Sequence, residues 1–166
     1  MRIGIIYGSS GGTTQDIATQ IKETLGIEAN LIDIADSSKE TFDTYEKFII
    51  GTSTWGEGDL QDDWDDNLEV YKSIDFNGKS VAFFGVGDQE NYYDSFVDGM
   101  GILYEIAKEN GATIIGDNWS KDGYEFDESK AIVDDSFVGL VIDEDNQSDQ
   151  TMQRIETWIE TIKHNF

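Results

Sequence analysis

The feature that most constrains this chain is a set of short apolar runs without polar alternation: Ile3–Tyr7, Phe48-Ile49-Ile50 within residues 47–52, and Val81-Ala82-Phe83-Phe84 within residues 80–85. A strand with one wet face alternates apolar and polar residues. An unbroken run therefore belongs in a sheet covered on both faces, which is the setting of parallel sheets. Helix-spaced segments lie between the runs. Residues 13–25 put Ile17, Ala18, Ile21 and Leu25 on one face and stop at Gly26. Residues 62–71 read as an acidic helix. Residues 95–109 repeat Phe96, Met100, Leu103 and Ala107 before Asn110-Gly111, and residues 149–163 turn Met152, Ile155, Trp158, Ile159 and Ile162 inward. A further strand is expected over 28–34, followed by a polar connection over 35–44. Residues 113–116 begin a strand that is too short, and residues 137–142 continue it after an aromatic, acidic insertion at about 117–136. Strands alternating with helices of this length predict one doubly wound α/β domain spanning residues 1–166, with a parallel sheet and helices on both faces.

In such folds ligands sit beyond the carboxyl ends of the strands, where the strand order reverses. Three loops leave those ends here, over residues 8–14, 53–59 and 86–93, and they are expected to converge on one crevice. The first, Gly8-Ser9-Ser10-Gly11-Gly12-Thr13-Thr14, opens a helix. Its backbone N–H groups and hydroxyls can point at one anion, with the helix dipole in support. No Lys or Arg lies in residues 7–18, so neutral donors would do the holding. From this loop alone, a solvated glycine-rich turn is an equal alternative. The other two loops carry Trp55 and Tyr92, flat rings on loops with no obvious core to fill, which suits a planar ligand stacked between them.

Other chemistries are mostly excluded. With no cysteine, the chain has no disulfide, thiolate metal site, iron–sulfur ligation or Cys nucleophile, so any redox chemistry belongs to an organic cofactor. Neither the Gly-x-Gly-x-x-Gly nor the P-loop fingerprint occurs. The acids Asp59, Asp62, Asp63, Asp65 and Asp66 lack the glycine and final Glu of a calcium loop, and they suit a helix start instead. A receiver-type phospho-acceptor needs carboxylates where this chain has Tyr7-Gly8-Ser9 and Gly51-Thr52-Ser53. The only histidine, His164, has no nucleophile near it in sequence. The formal charge of −24 repels nucleic acid and anionic membrane and favours basic protein surfaces as partners. The stretch from Met1 to Tyr7 is too short for a secretory core, and no run approaches membrane-spanning length, so a cytoplasmic protein without membrane insertion is expected.

With these residues in place, the chain resembles the long-chain flavodoxins over essentially its whole length. The motifs are Tyr7-Gly8-Ser9-Ser10-Gly11-Gly12-Thr13-Thr14, Thr54-Trp55, Phe84-Gly85-Val86-Gly87-Asp88-Gln89, and the stretch from Phe137 to Gln147. The resemblance implies a flavodoxin-like five-stranded parallel sheet of order 2-1-3-4-5, its fifth strand split by the insertion, and FMN as cofactor. Ser9, Ser10, Gly11, Gly12, Thr13 and Thr14 then take the phosphate. Trp55 and Tyr92 take the two ring faces, with Tyr92 rather than Tyr93 set by the family's Asp-Gln-x-x-Tyr spacing. The backbone at Gly87 and Asp88 takes the pyrimidine edge, and Ser53, Thr54, Gly56, Glu57, Gly58, Val86, Ser95 and Asp145 complete the expected cofactor contacts. No catalytic residue or metal ligand is implied. Two departures from the family stand out: Gly11 where a Thr or Ser is usual, and Ser53 where a proline is common.

The implied function is low-potential, one-electron transport through the FMN semiquinone/hydroquinone couple. The donor would be a reductase of the ferredoxin-NADP type or a photosystem, the acceptors those otherwise served by ferredoxin, and the carrier a monomer that meets them through their basic surfaces. A Gly56–Glu57 peptide that turns its carbonyl toward the ring is expected to tune the first electron. Glu57, Asp59, Asp62, Asp63, Asp88 and Glu90, with no cation in their segments, are expected to lower the second potential. Two alternatives remain: an FMN-dependent NAD(P)H reductase of quinones or azo compounds, disfavoured because two rings would close both flavin faces, and a binding module without redox chemistry.

Overall fold

In the computed structural model, which describes residues 3–166, the apolar runs become neighbouring strands of one sheet. Met1 and Arg2, part of the stretch read for a secretory core, lie outside the described residues. The elements run β1 (Ile3–Tyr7), α1 (Thr13–Leu25), β2 (Ala29–Asp33), α2 (Lys39–Thr44), β3 (Lys47–Trp55), β4 (Asp59–Leu60), α3 (Asp62–Asp66), α4 (Leu68–Lys72), β5 (Ser80–Val86) and α5 (Asp98–Glu109). They continue with β6 (Thr113–Ile115), β7 (Ile132–Val133), β8 (Ser136–Phe137), β9 (Leu140–Ile142), α6 (Glu144–Gln147) and α7 (Thr151–Ile162). No helix among the described residues is long and apolar enough to cross a membrane.

The parallel pairing runs β2-β1-β3-β5, and the next position is shared. β6 lies beside the start of β5, with Ser80 opposite Thr113, and β9 lies beside its end, with Phe84 opposite Leu140. This is the expected 2-1-3-4-5 order with a split fifth strand. Gly139 makes the second half possible, because a Cβ there would stand 2.1 Å from the Phe83 carbonyl oxygen. Successive residues of each run enter opposite cores. Ile6, Ile50 and Phe83 pack with Phe42, Trp64, Tyr71 and Leu103, while Ile5, Ile49 and Phe84 pack with Ile17, Ile21, Ile155 and Trp158. Two apolar layers on one sheet are the physical reason the runs do not alternate.

Several boundaries differ from the sequence expectation. The connection 35–44 contains α2, which buries Phe42 and starts in a reciprocal cap between Ser38 and Thr41. The expected 53–59 loop is a hairpin instead: β3 runs on through Trp55, which pairs with Asp59 of β4. The 62–71 helix breaks at Asn67, whose φ of −106 leaves the helical range. α5 begins at Asp98 rather than Ser95, because Val97 before it is left-handed. Residues 137–142 are not one strand, since Phe137 closes the small antiparallel pair β7–β8 inside the insertion. α7 starts at Thr151 after a 3-10 turn over 148–150, and Met152, expected inward, is 46% exposed.

Candidate functional site

The carboxyl ends of three strands stand side by side, with Tyr7 paired to Gly51 and Ser53 to Val86. Their loops therefore meet along one edge of the sheet, as the strand order requires.

The first loop leaves β1 at Gly8, where a Cβ would stand 2.3 Å from Gln61 Oε1 and 2.5 Å from Trp64 Cδ1. Only a residue without a side chain fits against α3 there. Ser9 Oγ accepts from the Gly12 N–H at 3.0 Å, and Ser10 Oγ accepts from Gln61 Nε2 at 3.0 Å. Gln61 is buried, and its Oε1 caps α3 by accepting from the N–H groups of Asp63 and Trp64. Trp64 Nε1 in turn donates to the Gly51 carbonyl at 3.0 Å. Neither Gln61 nor Trp64 was a sequence candidate, since a glutamine ahead of an acidic helix gives no sign of the loop it supports. The loop's outer face is open: a Cβ on Gly11 or Gly12 would meet nothing within 4 Å. Gly12 is left-handed, and α1 begins with no side-chain cap on its first-turn N–H groups. Uncapped helix N–H groups beside open space favour an anion. Ser10, Gly11 and Thr13 are exposed, Ser9 and Gly12 half-buried, and Thr14 buried.

In the hairpin after β3, Trp55 is 43% exposed. Gly56 and Gly58 both have left-handed φ, of 53° and 96°, and a Cβ at Gly56 would stand 2.5 Å from Asp59 Oδ2, so the turn is closed to branched residues. Thr54 Oγ1 is committed inward, accepting from the Gly99 N–H at 2.8 Å. Ser53 Oγ and Ser95 Oγ are buried and lack a hydrogen-bond partner among the described residues. Buried hydroxyls are normally paired, so both invite a polar group from outside the chain.

The third loop is held at every turn. The Gly87 N–H donates to the Ile142 carbonyl at 2.9 Å, so that donor is already committed. The Asp88 carboxylate accepts from the N–H groups of Glu90 and Asn91 and from the amides of Asn91 and Asn146. Tyr92 N donates to the Asp88 carbonyl; the Tyr92 ring is half-buried, while Tyr93 is exposed. The insertion grips this loop from outside. Gln89 accepts from Glu125 N at 2.7 Å through Oε1 and donates to the fully buried Asp143 through Nε2 at 2.6 Å. The Tyr93 carbonyl accepts from the N–H groups of Asp127 and Glu128, Phe96 N donates to the Glu128 carbonyl, and Ser129 Oγ donates to the Phe96 carbonyl. Lys130 N then donates to Asp98 Oδ1 at 2.7 Å. Gln89, Asp98 and Asp143 were also absent from the sequence candidates, because their partners lie far along the chain.

Charge at the site is mostly negative. Burial pushes the Asp88 carboxyl up, but the hydrogen bonds from Asn91 and Asn146 outweigh it and leave the group below the usual aspartate range. Asp145, on α6, is pushed up by burial and then by the charges of Asp88, Asp143 and Glu144. Between hairpin and insertion opens a cleft of about 630 Å³ in which Lys121 and Lys130 face Glu57, Asp94 and Asp98. The loop segments themselves carry no cation, as expected; folding brings these two lysines in from the insertion to face the acids beside the hairpin.

Comparison with known proteins agrees with this geometry. The family model described as Flavodoxin matches residues 5–158. The flavodoxin of Synechococcus elongatus is 45% identical over 99% of this chain and 98% of its own length, and flavodoxin 1 of Escherichia coli strain K12 is 47% identical over 96% and 91%. Among solved structures, Fusobacterium nucleatum flavodoxin bound to flavin mononucleotide has a TM-score of 0.94 at 34% identity, covering 99% of this chain and 98% of that one. Sheet order, split edge strand and full-length identity converge, and the chain belongs to the flavodoxin family.

Proposed function

We propose that this chain is an electron-transfer protein rather than an enzyme, a low-potential carrier that moves electrons one at a time on bound FMN. The observation that carries the reading is an open, cation-free loop at the uncapped start of α1, on the same sheet edge as two rings, Trp55 and Tyr92, that stack on no other aromatic ring among the described residues. The relative solved with FMN supports the choice of cofactor. The residues present fit that group: the uncapped start of α1 and the open space at Gly11 and Gly12 suit a phosphate, and the unpaired hydroxyls of Ser53 and Ser95 suit a polar ring edge. Bound there, FMN supplies the redox chemistry.

The chain's own work is to hold and tune it. Ser9, Ser10, Thr13, Thr14 and the backbone from Gly11 onward grip the phosphate; Trp55 and Tyr92 flank the ring; Gly56, Glu57, Gly58, Val86, Gly87, Asp88 and Asp145 border its edge. Holding a dianion with neutral donors keeps cations away from the ring at that end. Acids around the ring then make added negative charge costly, which lowers the potential. Basic surfaces are the matching partners, on a reductase of the ferredoxin-NADP type as donor and on ferredoxin-dependent acceptors. The carrier works as a single-domain monomer in the cytoplasm.

A reductive titration of the FMN-loaded protein followed by visible absorption tests this. A transient long-wavelength band between the oxidised and fully reduced spectra is expected, with no bleaching by NADPH alone. Rapid bleaching by NADPH would instead identify a reductase, and a chain unable to take up FMN would overturn the reading.

A further inference from the structure

The start of α5 is built against local preference. Val97, a β-branched residue, holds φ 49 and ψ 31, a left-handed conformation such residues rarely adopt. Its buried side chain packs against the backbone of Gly85 and Gly87. The strained turn delivers Asp98, only 5% exposed, and Gly99 under the hairpin that carries Trp55. On one arm of the hairpin, Gly99 N donates to Thr54 Oγ1 at 2.8 Å. On the other, a Cβ at Gly58 would stand 2.6 Å from Asp98 Oδ2. Asp98 Oδ1 accepts from Lys130 N, while Oδ2 accepts no hydrogen bond among the described residues.

A carboxylate can only accept hydrogen bonds, whereas a carboxylic acid can also donate one. Facing a peptide that can turn either way, the ionised group favours its N–H and the protonated group favours its C=O. The left-handed glycines on both sides of Glu57 give the hairpin that freedom. We propose that Asp98 is a positioning residue whose protonation state sets the orientation of the Glu57–Gly58 peptide, and through it the hairpin holding Trp55; its bearing on FMN rests on the function proposed above. The charged groups that share the cleft with Asp98 are Glu57 from the hairpin, Asp94 ahead of α5, and Lys121, Asp127, Glu128 and Lys130 from the insertion. Burial holds the Asp98 carboxyl above the usual aspartate range, Asp94 and Glu128 add to the rise, and the Lys130 N–H and charge oppose it.

Amide NMR spectra of the FMN-free full chain between about pH 5 and pH 7.5 test the link. The Glu57 and Gly58 amide signals should follow one titration in the wild type and lose it in Asp98→Asn; the same movement persisting in the variant would overturn the proposal. Should that variant not fold, the Asp98 carboxyl carbon is followed in the wild type instead. Its midpoint must coincide with that of the Gly58 amide, and a different midpoint overturns the link. With FMN present, a half-unit difference in the Asp98 pKa between free and loaded protein corresponds to about a threefold pH dependence of the Kd, which Asp98→Asn should abolish. An amide titration that obeys these expectations in a protein unable to bind FMN would support the link while refuting the proposed function.

Discussion

The loop after β1 and the loop after β5 leave strands of the same sheet, but they are held differently. The first is shaped by its own glycines and hydroxyls, by the start of α1 and by Gln61 beneath it. The second depends on groups 32 to 58 residues further along: Glu125, the 127–130 stretch, Asp143 and Asn146. One region is self-contained, the other braced by distant segments, with only Gln89 of residues 87–93 buried. On the function proposed above, the phosphate grip and the ring grip are therefore separable. Comparing FMN with riboflavin, which lacks the phosphate, measures each.

The largest effect is expected from Asp143→Ala. Asp143 is fully buried and accepts from Gln89 N, Gln89 Nε2, Asn146 N and the Asn146 amide. Removing this acceptor and leaving these donors unpaired costs on the order of 3 kcal/mol. Urea unfolding should show the loss, and FMN and riboflavin should weaken together. An affinity loss confined to FMN would break the contrast.

Gln89→Ala removes the loop's link to Glu125 while leaving Asp143 its Asn146 bonds and the Tyr93 carbonyl its partners in the insertion. A cost of about 2 kcal/mol in unfolding free energy is expected, again with parallel weakening of both flavins by titration calorimetry. Gly11→Thr sharpens the contrast from the other side. A Cβ there meets nothing within 4 Å, and the position does not require a left-handed φ. A new hydroxyl bond to a dianion, worth about 1.5 kcal/mol, should raise FMN affinity roughly tenfold and leave riboflavin unchanged. Equal gains for both ligands would show that the loop reaches the ring.

The smallest effect is expected from Asp98→Asn on stability. An aspartate whose folded pKa is raised stabilises the fold most below its unfolded pKa, and that contribution is lost as pH rises through the folded pKa. The asparagine variant should therefore be slightly more stable than wild type at neutral pH. The gap should close on acidification, as read by thermal unfolding at a series of pH values. A gap independent of pH would mean that the substitution acts through packing alone.

The α/β class and the three converging loops were legible because they are local. Unbroken apolar runs imply two covered faces, and a glycine- and hydroxyl-rich turn ahead of a helix implies exposed N–H groups wherever it occurs. Trp55 and Tyr92 were legible as aromatics without a core to fill, and the structure leaves Trp55 exposed and Tyr92 half-buried. The helix in 35–44 was missed because its main buried contact, Phe42, packs into a core that folding creates. Met152 was misplaced because it lies at the margin of the helix face that Ile155, Trp158, Ile159 and Ile162 bury, while Thr151 and Arg154 occupy the buried side of the first turn. Gln61, Gln89, Asp98 and Asp143 read in sequence as ordinary polar residues. Only the tertiary structure buries them and gives them partners, because a side chain's solvent and hydrogen bonds are properties of the assembled chain. The residue pattern alone was enough for the parallel sheet, for α1, α5 and α7, and for an uncharged glycine- and hydroxyl-rich turn at Gly8 to Thr14. Tertiary structure decided what holds the second loop in place, and it brought Lys121 and Lys130 to face the acids beside the hairpin.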